Sequence, residues 1–80
     1  MTLWAAFSTV VADVLGVPEV LGSDNFFALG GDSLLAMELV ISLSAIVGWE
    51  VPISYIFESE DFGTIFQAVV EHPDPGRELG

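Results

Sequence analysis

The chain has 80 residues, with 12 acidic side chains against a single basic one, Arg77, for a formal net charge of −11 with His72 neutral. Gripping phosphates takes clustered Lys or Arg, so neither nucleic acid nor an anionic membrane is an expected partner, and partners should instead be basic or apolar. A chain of this length makes one domain that buries about two-thirds of the surface its unfolded form exposes, and with no cysteine it has no disulfide, no thiolate zinc site and no thiol nucleophile.

From the N-terminus, Leu3, Trp4, Phe7, Val10, Val11, Val14 and Leu15 form the i, i+3, i+4, i+7 stripe of an amphipathic helix. Thr2 is its expected cap, and Gly16 with Pro18 stops it. Residues 17–32 are a long connection rich in Gly, Ser, Asp and Asn, yet they include Val20, Leu21, Phe26, Phe27 and Leu29. Those apolar residues should be tucked against the core, and the two adjacent Phe residues argue for an ordered loop. A second helix is expected over residues 33–47, opened by a Gly-Gly-Asp-Ser turn and closed at Gly48. A connection at 49–54 with Pro52, a short helical turn around 54–58 and a last helix at about 61–71 follow, with Asp61 as its cap. Residues from His72 onward, with Pro73, Pro75 and Gly76, read as a frayed tail or linker. No alternating β pattern occurs, so the expected fold is all-α, a small bundle of three long helices and one short one with a long ordered loop between the first two. Hydropathy is high, at 52% apolar residues and a mean of +0.68. The uncharged runs at 1–12, 39–49 and 62–70 nevertheless fall short of the roughly 18 residues a membrane span needs. The first also lacks the basic start of a signal peptide, so a soluble, cytoplasmic chain is expected.

Gly30 and Gly31 allow backbone angles other residues resist, and they leave the start of the second helix sterically open, so Ser33 is presented and not packed. A serine at a helix start has two readings. It is an N-cap, or it is an attachment point whose phosphodiester would sit at the positive end of the helix dipole. Spacing alone does not choose between them.

The run Asp24-Asn25-Phe26-Phe27-Ala28-Leu29-Gly30-Gly31-Asp32-Ser33-Leu34-Leu35-Ala36 resembles the attachment motif of carrier proteins, specifically the peptidyl carrier (thiolation) class of nonribosomal peptide synthesis. The likeness extends to Trp4 and Leu15-Gly16-Val17, to residues 48–52 and to Phe57-Glu58. It implies that Ser33 carries a 4′-phosphopantetheine arm added by a phosphopantetheinyl transferase, with Asp32 beside it aiding recognition and Gly30 and Gly31 giving access. The arm's thiol would hold an aminoacyl or acyl group as a thioester, which explains why the chain needs no cysteine. Further implied partners are an adenylation or acyltransferase enzyme that loads the arm and a downstream condensation or tailoring enzyme. Residues 1–72 are expected to be the carrier domain, non-catalytic and monomeric, and 73–80 a flexible tail or linker. Two features depart from the family pattern. Glu60-Asp61 stands where a Pro-Thr pair often introduces the last helix, and the second helix bears only Glu38 where basic residues are usual.

At about 100° per residue with Ser33 at zero, Leu35, Ile46, Leu39, Leu43, Ala36, Val47 and Val40 fill an arc from roughly 200° to 340°, the expected core face. Leu34, Met37, Ile41 and Ala45 form a second apolar group at roughly 40° to 120°. Either a neighbouring helix covers that group, or it is an exposed docking patch in which Met37 adapts to differently shaped partners. Leu34, Met37 and Ile41, with Ile53, Tyr55 and Ile56, are the expected partner contacts; Val51, Ile53 and Phe57 could equally be core. A serine hydrolase needs a base beside Ser33, and His72 lies in the expected tail. Asp24, Asp32 and Glu38 do not match a calcium loop. Two alternatives to the peptidyl carrier stay open: an acidic interaction module in which Ser33 only caps a helix, and a polyketide-type acyl carrier.

Overall fold

The computed structural model describes residues 2–71; the expected tail, 73–80, lies outside them, as does His72. Four helices follow in order, α1 (Leu3–Leu15), α2 (Ser33–Val47), α3 (Ser54–Phe57) and α4 (Phe62–Glu71), as the apolar periodicity predicts. Each long helix starts where a side-chain oxygen meets an otherwise unpaired N–H. Thr2 Oγ1 accepts from the Ala5 N–H at 3.0 Å, Asp32 Oδ1 from that of Leu35 at 2.9 Å and Asp61 Oδ1 from that of Thr64 at 2.8 Å. Gly16 and Gly48 end α1 and α2 in the left-handed region, at φ 70° and 81°, which glycine enters without steric cost.

The core lies between α1, α2 and α4. Phe7 and Val11 meet Ala36, Leu39 and Leu43, with Phe62, Ile65 and Val69 on the third side and Ile56 of α3 closing the set. The seam of α1 with α4 is aromatic: the rings of Trp4, Phe7 and Phe66 lie 5.3 to 5.5 Å apart, within the range where tilted and edge-on rings attract. Ile46 departs from the expected core face and is exposed. It sits at the margin of the predicted arc with Leu35, which is only half-buried, because the covering helices close over less than that full width. Ser44, which falls between the two apolar groups at roughly 20° on the same wheel, is buried. Its hydroxyl donates to the Val40 carbonyl at 2.5 Å and accepts from the Val51 N–H at 2.9 Å, which ties the connection after α2 back onto the helix.

The connection between α1 and α2 is ordered, as its aromatic content predicts, but only part of it is tucked in. Val20 and Phe26 are core residues, whereas Leu21 and Phe27 are exposed. The loop closes the N-terminus of α4: the Phe62 N–H donates to the Asp24 carbonyl at 3.0 Å and the Gly63 N–H to that of Gly22 at 2.9 Å. With Thr64 bound to Asp61 Oδ1 and Ile65 to the Asp61 carbonyl at 3.1 Å, all of the first four N–H groups of α4 have acceptors.

Asp61 therefore holds the cap expected of it although its neighbour is Glu60 and not proline. The Thr64 N–H, and then the Thr64 hydroxyl, lower its carboxyl below the ordinary value of 3.8. A depressed folded-state value means that the carboxylate's contribution is complete above the ordinary value and is lost as pH falls through the depressed one. Asn also caps but does not titrate. The stability gap between the wild-type chain and Asp61→Asn, measured by urea unfolding across a pH series, should therefore narrow on acidification through that range. A gap that stays constant with pH would contradict the assignment.

Candidate functional site

The residues before α2 form a tightly bonded turn. Asp24 Oδ2 accepts from the Leu21 N–H at 2.8 Å, and Asn25 Oδ1 from the Ala28 N–H at 2.9 Å. The Asn25 amide donates across the fold to the Glu60 carbonyl at 2.6 Å. The Gly30 N–H then reaches the Phe27 carbonyl at 3.2 Å and the Gly31 N–H that of Phe26 at 3.0 Å. The Phe26 ring, buried edge-on against Phe62 at 6.4 Å, is the platform on which this turn rests.

The two glycines have different jobs. At Gly30 φ is +97° and nothing lies within 4 Å of where a methyl group would stand, so the position is open and its backbone demands glycine. Gly31 is not open: a Cβ there would collide with the Phe26 ring. Its smallness lets the chain cross the ring and enter α2, which corrects the expectation that both glycines serve access.

Ser33 is the first residue of α2 and is exposed. It is not the cap. Asp32, in extended conformation at φ −140° and ψ −175°, holds that position through Leu35. The Ser33 hydroxyl makes no hydrogen bond among the described residues, and the N–H groups of Ser33 and Leu34 are likewise without partners there. Unlike the start of α4, which the loop covers, the start of α2 is open at Ser33.

Down α2 from Ser33, Leu34, Met37 and Ile41 are 68%, 54% and 66% exposed, so no neighbouring helix covers the second apolar group. Met37 and Ile41, with Val40 and Ala45, form one wall of a groove of about 830 Å³ whose other wall is Val51, Pro52 and Ile53. Ile53 and Tyr55 are half-buried, the latter edge-on to Trp49 at 6.3 Å. Ile56 is wholly buried and leaves the set of surface contacts: α3 is a single turn whose inward residue must plug the core. Val51 is core, Phe57 is not. Sequence reasoning missed Asn25, whose partner lies 35 residues away, and the exposed stack of Phe27 on Phe57. The motif's paired phenylalanines were the available signal for that stack, but nothing in their spacing separates the inward ring from the outward one.

Gly31→Ala should force Phe26 or the turn to shift and cost about 1–3 kcal/mol, the usual range for overpacking, with a matching fall in the urea midpoint. An unchanged midpoint would show that the ring and the turn are not in contact as described.

Comparison with known proteins agrees with this geometry. The family described as phosphopantetheine attachment site matches residues 5–69. One of the linear gramicidin synthase proteins of Brevibacillus parabrevis is 44% identical over 71 residues, covering 80% of this chain and 1% of its own length. The chain thus spans only a small part of the curated relatives it matches, about 1% of the length of several and 4–5% of others. A solved non-ribosomal PCP domain is 38% identical, with a TM-score of 0.68 over 81% of this chain and 82% of its own. The peptidyl carrier protein solved with the phosphopantetheine transferase Sfp and coenzyme A is 25% identical, with a TM-score of 0.82 over 90% and 94% of the two chains. With an open serine at the head of α2 and these likenesses over most of its length, the chain belongs to the phosphopantetheine attachment family, as a peptidyl carrier domain of the nonribosomal peptide synthesis type.

Proposed function

We propose that Ser33 is the attachment point of the 4′-phosphopantetheine arm and that the chain holds an aminoacyl or acyl group there as a thioester for biosynthetic partner enzymes. The observation that carries this reading is the exposed Ser33 hydroxyl, free of hydrogen bonds among the described residues because Asp32 has taken the capping position. The same observation removes the basis of the rival in which Ser33 only caps a helix. The residues fit the group. A phosphodiester on Ser33 would lie beside the open N–H groups of Ser33 and Leu34 at the positive end of α2. When bound, the arm supplies the thiol that this cysteine-free chain lacks.

The chain's part is to present the hydroxyl, anchor it on a rigid helix and offer a docking surface. The described residues contain no Lys, Arg or His, and the Asp32 carboxylate is engaged with Leu35. The base that takes the Ser33 proton on attachment is therefore assigned to the modifying transferase, and the chain itself is read as non-catalytic. Leu34, Met37 and Ile41, with Ile53 and Tyr55 at the side, are the proposed contacts for that transferase, for the adenylating or acyl-transferring enzyme and for a condensation or tailoring enzyme. Residues 1–72 are proposed as the carrier unit and 73–80 as its tail, acting as a monomer in the cytoplasm.

Intact mass after incubation with coenzyme A and a phosphopantetheinyl transferase should show one added phosphopantetheine, absent in Ser33→Ala. Met37→Glu should slow the modification with its helical circular dichroism unchanged. No addition with several transferases, or addition that persists in Ser33→Ala, would refute the assignment.

A further inference from the structure

Of the 12 acids, all but Asp74 and Glu78 lie within residues 2–71, and no Lys, Arg or His accompanies them. No internal cation there competes for a carboxylate or for an exposed aromatic face. One pair of rings stands out on that surface. Phe27, from the turn before Ser33, and Phe57, the last residue of α3, are 42% and 48% exposed. They stack on each other with centroids 5.7 Å apart and planes inclined by 14°.

The core does not require them outside. Phe27 meets the buried Phe26 edge-on at 5.2 Å, so packing ends one ring further in. The backbone that carries each ring is tied down: the Phe27 carbonyl accepts from the Gly30 N–H, three residues ahead of Ser33, and the Phe57 N–H donates to the Ile53 carbonyl at 3.4 Å. Glu58, exposed, follows Phe57 directly. Aromatic faces carry negative potential, and a neighbouring carboxylate adds to it. A guanidinium suits such a place better than an ammonium, because it is planar, weakly hydrated and stacks on rings.

We propose that the Phe27–Phe57 stack, with Glu58, receives an arginine from the surface of an enzyme that acts on Ser33. This anchor is separate from the apolar strip of Leu34, Met37 and Ile41. The identity of the partner rests on the carrier reading; the chemistry of the anchor rests on the rings and on the absence of any Lys, Arg or His among the described residues.

The test uses the whole unmodified chain, labelled for NMR and titrated with a tetra-arginine peptide and, in parallel, a tetra-lysine peptide. The ring protons of Phe27 and Phe57 should shift with tetra-arginine and less with tetra-lysine. Phe57→Leu should weaken tetra-arginine binding about twofold to fivefold, the span of an exposed cation–π contact, whereas Phe57→Trp should preserve or tighten it. Ser33→Ala should bind as the wild type does. Rings that stay unmoved while backbone amides near the acids shift, or a Phe57→Leu chain that binds equally well, would overturn the proposal. Failure of the carrier reading shows separately, in the mass experiment.

Discussion

The first turn of α4 takes two of its hydrogen-bond acceptors from the loop that precedes α2, at Gly22 and Asp24, and the rest of the molecule depends on that closure. A helix start left without acceptors is unfavourable when it lies against a core, and Phe62 at this start is fully buried. The same bonds fasten the loop. Asn25 adds a third tie to Glu60, and Phe26 fills the space between loop and helix. A connection of this length has considerable freedom to lose on ordering, and it is ordered because one set of bonds serves both segments. The consequence reaches Ser33 through Gly31, which lies on the Phe26 ring and sets where α2 begins.

Two helix starts in this domain thus have opposite treatment. That of α4 is closed by backbone and side chain alike, while that of α2 keeps the N–H groups of its first two residues and the Ser33 hydroxyl open. α2 likewise has two apolar faces, one packed on α1 and sharing the core with Phe62, Ile65 and Val69, the other in water with Leu34, Met37 and Ile41. The only charge on α2 is Glu38, so the strip of Leu34, Met37 and Ile41 is uncharged, while most of the acids lie before and after α2 in the sequence. On the docking proposed for this strip, the surrounding acids would steer basic partner surfaces over long range and leave the docked contact to apolar burial.

Much of this was legible in the sequence. The helix bounds follow from apolar spacing with Thr2, Gly16, Gly48 and Asp61 as punctuation, and the motif around Ser33 carried the family. What was not legible depends on contacts distant along the chain. Asp32 and Ser33 are both good caps by residue type, and only the fold shows that Asp32 takes the position. Ile56 and Phe57 are neighbours of equal hydrophobicity, and which one turns inward is decided by the core α3 meets. Gly31 reads as conformational freedom in one dimension and proves to be clearance for a ring. Ser44 is polar by type, and its burial follows from the bond its hydroxyl accepts from Val51, seven residues on.

The central claim is that the loop and the start of α4 form one rigid platform for Ser33, and hydrogen exchange of individual amides tests it most directly. The amides of Phe62, Gly63 and Gly31 should exchange as slowly as those in the middle of α2, and Asn25→Ala should speed all three together. Exchange of these amides in the wild-type chain at the rate of unstructured peptide, with α2 still protected, would contradict the account.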